Sequence, residues 1–228
     1  MTLYKLIKND FLFMFKYKIY HVYFFLLLSY IFILYILEGE IYEYAKVLII
    51  LSDPLVLGFF FIGGIFLIEM NEGLIKYDFI TAIKPVDYII SKTVVLATSS
   101  TIIALILSLT KTINFNFMTM ITIFIASSLM TLFGQFIVFK CKSVNDYLAK
   151  SVIYAVFLIA PLILSLIFDK IAILKFNPMS LIYLSIFEGY FNGYSYNFLN
   201  TFVLVGYLII MFFITLNAFK KNLYGGKI

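Results

Sequence analysis

Arginine and tryptophan are absent from these 228 residues, and cysteine and histidine occur once each, as Cys141 and His21. One cysteine excludes an internal disulfide framework, and one cysteine with one histidine excludes a Cys/His metal cluster. Charge is scarce too: 13% of the residues are charged against 64% hydrophobic, with a mean hydropathy of +1.06. No soluble globular domain of this length keeps that balance, so the composition defines an integral membrane protein. Little sequence remains outside the apolar runs, which leaves no room among them for a soluble catalytic domain. The excess of Lys, Ile, Phe, Tyr and Asn is what an AT-rich genome encodes, and the 20% aromatic content is therefore weak evidence about a ligand.

Reactive motifs are missing as well. A phosphate-binding loop needs G-x-x-x-x-G-K-[ST], because its amides and its lysine cradle phosphates. Gly58 and Gly63 have the spacing, but Gly64-Ile65 follows, and Gly225-Gly226-Lys227-Ile228 also fails. ATP hydrolysis is thus not expected of this chain, and with one histidine and no nucleophile motif neither is a Ser/His/Asp hydrolase. The expectation is a protein without catalytic residues, metal ligands or a cofactor of its own.

The apolar runs predict an all-α single domain of six transmembrane helices, at about residues 19–37, 47–68, 94–109, 117–139, 151–168 and 198–219. Residues 1–18 carry Lys5, Lys8, Lys16 and Lys18 beside Leu3, Leu6, Ile7, Phe11, Met14 and Phe15 at helical spacing, the pattern of an amphipathic helix in the membrane interface. Glu38, Glu40, Glu43 and Lys46 read as a short loop. Asp53-Pro54 marks either a kink or a junction of two helical pieces, since a capping side chain followed by Pro is how a helix starts. Asp53 is also the one carboxylate inside an expected span, either a cation contact or a wetted cap. Thr98, Ser99, Ser100 and Thr101 either line a pathway or bond back to their own helix. Ser127, Ser128, Thr131 and Gly134 allow close helix approach, within one chain or between two. Pro161 predicts a kink in span five. Between spans five and six, apolar pieces around Asn177-Pro178 predict a short helical segment dipping into the outer membrane surface. With both termini inside, 13 of the 17 lysines fall on the inner side, which sets the orientation.

Residues 69–92 stand apart. They hold seven charges, Glu69, Glu72, Lys76, Asp78, Lys84, Asp87 and Lys92, between two spans. Leu74, Ile75, Phe79, Ile80 and Ile83 form one apolar face of a short helix there, and Pro85 starts the helix that becomes span three. Anchored directly to spans at both ends, such a segment passes a displacement into the membrane domain without loss in a loose loop. The inner loop at Lys140 to Lys150 is shorter and lacks an apolar face.

The run from Ser52 through Leu74, together with Ala82 to Lys92, resembles the type 2 permease subunits of ATP-binding-cassette (ABC) exporters, nearest the fluoroquinolone-export-like branch. Glu69, Glu72, Gly73, Leu74, Pro85, Tyr88 and Lys92 fall on that family's positions, whereas Lys84 stands where Thr is usual. The resemblance implies a multi-pass permease in the cell membrane of a prokaryote, with both termini cytoplasmic. It implies a second permease copy or a sister permease, membrane lipids, and a separate cytoplasmic ATPase subunit that binds ATP and magnesium. Residues 69–92 would then carry the coupling helix that meets this ATPase, no nucleic acid would be involved, and the cargo would be hydrophobic or amphipathic, as in multidrug resistance. The alternatives from the residues alone are a membrane interaction or immunity subunit without transport activity, and an ion-coupled secondary transporter.

Overall fold

Helices account for nearly all of the computed structural model, which describes residues 2–75, 83–110, 117–168, 176–191 and 198–224. In chain order they are α1 (Leu3–Lys16), α2 (Ile19–Ile36), α3 (Gly39–Asp53), a π-helical segment (Pro54–Phe60), α4 (Phe61–Asn71), α5 (Pro85–Ser108), α6 (Phe117–Val138), α7 (Val144–Ile167), α8 (Pro178–Phe191) and α9 (Phe198–Tyr224). Six helical runs are long and apolar enough to cross a membrane: α2, α3 through α4, α5, α6, α7 and α9. There is no strand among the described residues. The chain is a multi-pass helical membrane protein.

Burial separates a centre from a periphery. The most apolar stretch of α6 is 72% buried, whereas those of α2, α7 and α9 are 17%, 22% and 28% buried. Phe24, Phe25 and Phe32 of α2 and Phe157 of α7 are exposed. For a chain in water that pattern would be costly; against lipid hydrocarbon it is the expected one. The central helix packs on α5, α9, α4 and the π segment.

Several boundaries differ from the expected spans. The second run begins at Gly39 rather than near residue 47, because only Leu37 and Glu38 interrupt the helices; Gly39 takes a positive φ of 62° that suits glycine. Glu40 and Glu43 then sit in the first turns, where a carboxylate favours the helix N-terminus. At Asp53-Pro54 the chain neither stops nor splits, and helical winding continues as a π segment. The fifth run begins at Val144, so the expected Lys140 to Lys150 loop is half helix. Ser143 caps it by accepting from the Asp146 N–H at 3.2 Å. The Lys150 ammonium pairs with Asp146 one turn earlier at 2.8 Å. Pro161 lies inside this helix without ending it. Asn177 and Pro178 start α8: the Asn177 side-chain oxygen accepts from the Met179 N–H at 2.9 Å.

The glycines that mimic a phosphate loop serve packing. A Cβ on Gly58 would meet Thr131 Oγ1 at 2.7 Å and the Ser127 carbonyl at 2.8 Å, and one on Gly134 would meet the Phe59 carbonyl at 2.6 Å. A Cβ on Gly63 would run into the Tyr147 ring, whose hydroxyl donates to the Phe59 carbonyl. The close approach allowed by Ser127, Thr131 and Gly134 is therefore made within this chain, between α6 and the π segment. Gly58→Val should cost about 1–3 kcal/mol through overpacking against backbone. Gly64→Ala, with nothing within 4 Å of the added carbon, should be neutral. Thermal unfolding of the detergent-solubilised variants measures both.

Candidate functional site

Helix α1 turns Leu6, Asp10 and Met14 inward, residues spaced by one helical turn, and so drives a carboxylate into the bundle. Helix α4 does the same with Ile62, Phe66 and Glu69, and α5 with Tyr88, Ser91, Lys92 and Val95. These three faces meet. The Lys92 ammonium donates to Asp10 Oδ1 at 2.6 Å and to Glu69 Oε1. The Tyr88 hydroxyl donates to Glu69 Oε2 at 2.6 Å, and the Ser91 hydroxyl to Asp10 Oδ2. Each of the four carboxylate oxygens thus holds a donor. The Lys92 ammonium also lies 5.3 Å from the centre of the Tyr88 ring and 5.4 Å from that of Phe13. The three charged side chains are between 5% and 9% exposed.

Desolvating three charges is expensive, and only the full set of charge-assisted bonds offsets the cost. The cluster therefore acts as a pin joining α1, α4 and α5. Tyr88 extends it: its ring stacks on Phe219 of α9 at 5.2 Å with 7° between planes. Phe219 packs on Phe139 just beyond α6 at 4.5 Å, and Phe139 on Phe66 of α4 at 5.0 Å. The ends of α4, α6 and α9 and the start of α5 are thereby held as one layer.

Around this layer lie the other residues grouped in residues 69–92. Glu72 is exposed and accepts the Tyr17 hydroxyl, which holds that phenol above its ordinary pKa. Gly73 stops α4: its φ of 72° is the left-handed conformation of a helix C-terminus, and its N–H bonds the Met70 carbonyl at 3.2 Å. Leu74 is half-buried, Ile75 and Ile83 are buried, and Pro85 occupies the first turn of α5. Phe79 and Ile80 lie outside the described residues. Glu69, Tyr88 and Lys92, grouped in the sequence with a docking surface, are instead turned into the bundle.

The remaining candidates divide. Thr98, Ser99 and Thr101 donate to carbonyls one turn back, at 2.7, 2.9 and 2.8 Å. Ser99 also lines an apolar cavity of about 480 Å³ with Phe11, Tyr20, Tyr23, Leu27 and Ile102, among α1, α2 and α5. Ser100 is fully buried and its hydroxyl has no partner among the described residues. Asp53 and Pro54 are described by backbone alone.

Two ionisable residues with structural weight escaped the sequence reading. Asp10 was not among the candidates; the signal that could have found it is its place between Leu6 and Met14 on the apolar face of α1. Lys46, expected in a loop, is fully buried in α3 and donates to the carbonyls of Ser108 and Thr110, both at 3.2 Å. The Tyr42 hydroxyl donates to the same Thr110 carbonyl at 2.7 Å. A cation at a helix C-terminus answers the partial charge of its last carbonyls, so α5 is pinned near both ends, about 24 Å apart along its axis.

Comparison of the chain with protein-family models, with curated proteins and with solved structures finds no match.

Lys92→Met should leave two buried carboxylates without their cation and cost about 3–5 kcal/mol, whereas replacing all three charges with apolar residues should recover most of that. Thermal melts of the single and triple variants in one detergent measure the difference; equal losses would show that the ion cluster is not the pin.

Proposed function

We propose that this chain is the membrane-spanning permease subunit of an ATP-driven exporter of the type 2 ABC kind. Its ATP and magnesium would be handled by a separate cytoplasmic ATPase subunit. One observation carries the reading: the two helices flanking residues 73–84 are locked to each other and to α1 by the Asp10–Lys92–Glu69 cluster. A segment that leaves α4 at Gly73 and enters α5 at Pro85 transmits a push to both helices at once, as a coupling element requires. Of its expected apolar face, Ile75 and Ile83 are buried within this chain, which leaves half-buried Leu74 as the described contact for the ATPase.

On this reading the lysine-rich end, with the pinned layer and both termini, faces the cytoplasm, and α1 lies in the inner membrane interface with Lys5, Lys8, Lys16 and Lys18 exposed to headgroups. α8 is the segment dipping into the outer surface. Two copies, or this chain and a sister permease, enclose the pathway. The aromatic cavity beside Ser99 suits hydrophobic or amphipathic cargo. Ion-coupled transport draws no support from the triad, whose carboxylate oxygens are all engaged and which lies near one end of α5 rather than at its middle.

Purification of the tagged chain from native membranes should bring down an ATP-hydrolysing subunit. Leu74→Asp and Phe79→Asp should abolish export and the stimulation of that ATPase while leaving the spans inserted. The permease reading fails if no ATP-hydrolysing chain accompanies the protein. Normal export by both variants would reject the coupling segment alone.

A further inference from the structure

Near the C-terminal ends of α6 and α9 lies a cleft of about 430 Å³ lined by Phe136, Lys140, Ile214, Asn217, Lys221 and Asn222. Its chemistry is divided. Lys140 and Lys221 are exposed and neither makes an ion pair among the described residues, while Asn217 adds an exposed amide. The Lys140 ammonium is held over the Phe136 ring, 3.7 Å from its centre, so one cation is already fixed at the mouth. The Asn222 amide N–H donates to the Ala218 carbonyl at 3.0 Å. Among the described residues no carboxylate lines the cleft; the nearest acid in sequence, Asp146, is bound to Lys150 and to the Lys142 N–H.

Along α9, away from the lysines, Ile214, Phe213, Ile210 and Ile209 are exposed in succession. Two cations with amides at one end and an exposed apolar stripe leading from them match a molecule with an anionic head and hydrocarbon tails. We propose that this cleft is a binding site for an anionic phospholipid, its phosphate on Lys140 and Lys221 and an acyl chain along the α9 stripe. A free phosphate would satisfy the lysines but would leave the stripe unused. The inference rests on the membrane-spanning fold and not on the transport reading.

The cleft lies beside the pinned layer, since Phe219, buried on the adjoining face of α9, stacks on Tyr88. A bound lipid would therefore brace α6 against α9 where the two also meet through Phe139 and Phe219.

Native mass spectrometry of the full chain in detergent, titrated with phosphatidylglycerol, phosphatidylcholine or inorganic phosphate, tests the site. One phosphatidylglycerol per chain should bind in preference to phosphatidylcholine. Lys140→Gln with Lys221→Gln should weaken it about thirtyfold, at the usual strength of a juxtamembrane lysine toward an anionic surface. Lys140→Arg with Lys221→Arg should retain binding, which separates charge from loss of fold. The exposed pair Lys84→Gln with Lys142→Gln, which lies outside the cleft, should leave it unchanged. Equal binding of the two lipids, an equal loss in the Lys84/Lys142 variant, or full displacement by millimolar inorganic phosphate would overturn the proposal.

Discussion

A lysine without water must have its charge answered by the protein, and Lys92 has that need met by helices that are distant in sequence. Asp10 and Glu69 bond its ammonium, and Tyr88 and Ser91 bond the carboxylates in turn. A partial set would be worse than none, because each lost partner leaves a desolvated charge behind. The neighbouring features follow from this. α1 must lie on α5 to deliver Asp10, α4 must end close to the start of α5, and Gly73 turns the chain four residues after Glu69. The aromatic stack of Tyr88, Phe219, Phe139 and Phe66 carries the same constraint into α6 and α9.

Close packing supplies the second constraint. Without a hydrophobic effect between helices in lipid, contact depends on how nearly backbones approach and on polar bonds between them. Gly58, Gly63 and Gly134 permit that approach at the π segment, where Tyr147 also reaches the Phe59 carbonyl. Lys46 and Tyr42 secure the far end of α5 by bonding its last carbonyls. The centre is consequently rigid along its length, while α2, α7 and α9 present much of their surface to lipid. On the proposed permease reading this division is apt: a push between α4 and α5 would meet a stiff core, and the lipid-facing helices would leave surface for a second permease and for the proposed lipid.

The membrane class, the number of spans and most helix ends were legible in the 228 residues. Hydropathy is a local sum, and stop signals such as Gly73, Pro85 and Pro178 act on the residues beside them. Legibility declined where polar residues sit inside helices. Glu40, Glu43 and Lys46 read as a loop because they are charged, yet they continue a helix whose first turns favour acids. Asp53-Pro54 marked either a kink or a junction of two pieces, and the winding continues through it as a π segment. The small residues of α6 announced close packing but not its partner.

By its own composition and periodicity, then, the sequence determined that this chain spans a membrane as helices, where most of them start and stop, and that residues 69–92 differ from the rest. Only the tertiary structure decided what the charges do. Asp10 and Lys92 are 82 positions apart, and Lys46 and Ser108 are 62 apart. A periodic pattern tells which face of a helix is apolar, but a buried charge is tolerable only if a particular partner arrives from another helix. That pairing exists nowhere in the local sequence and arises only when the helices pack.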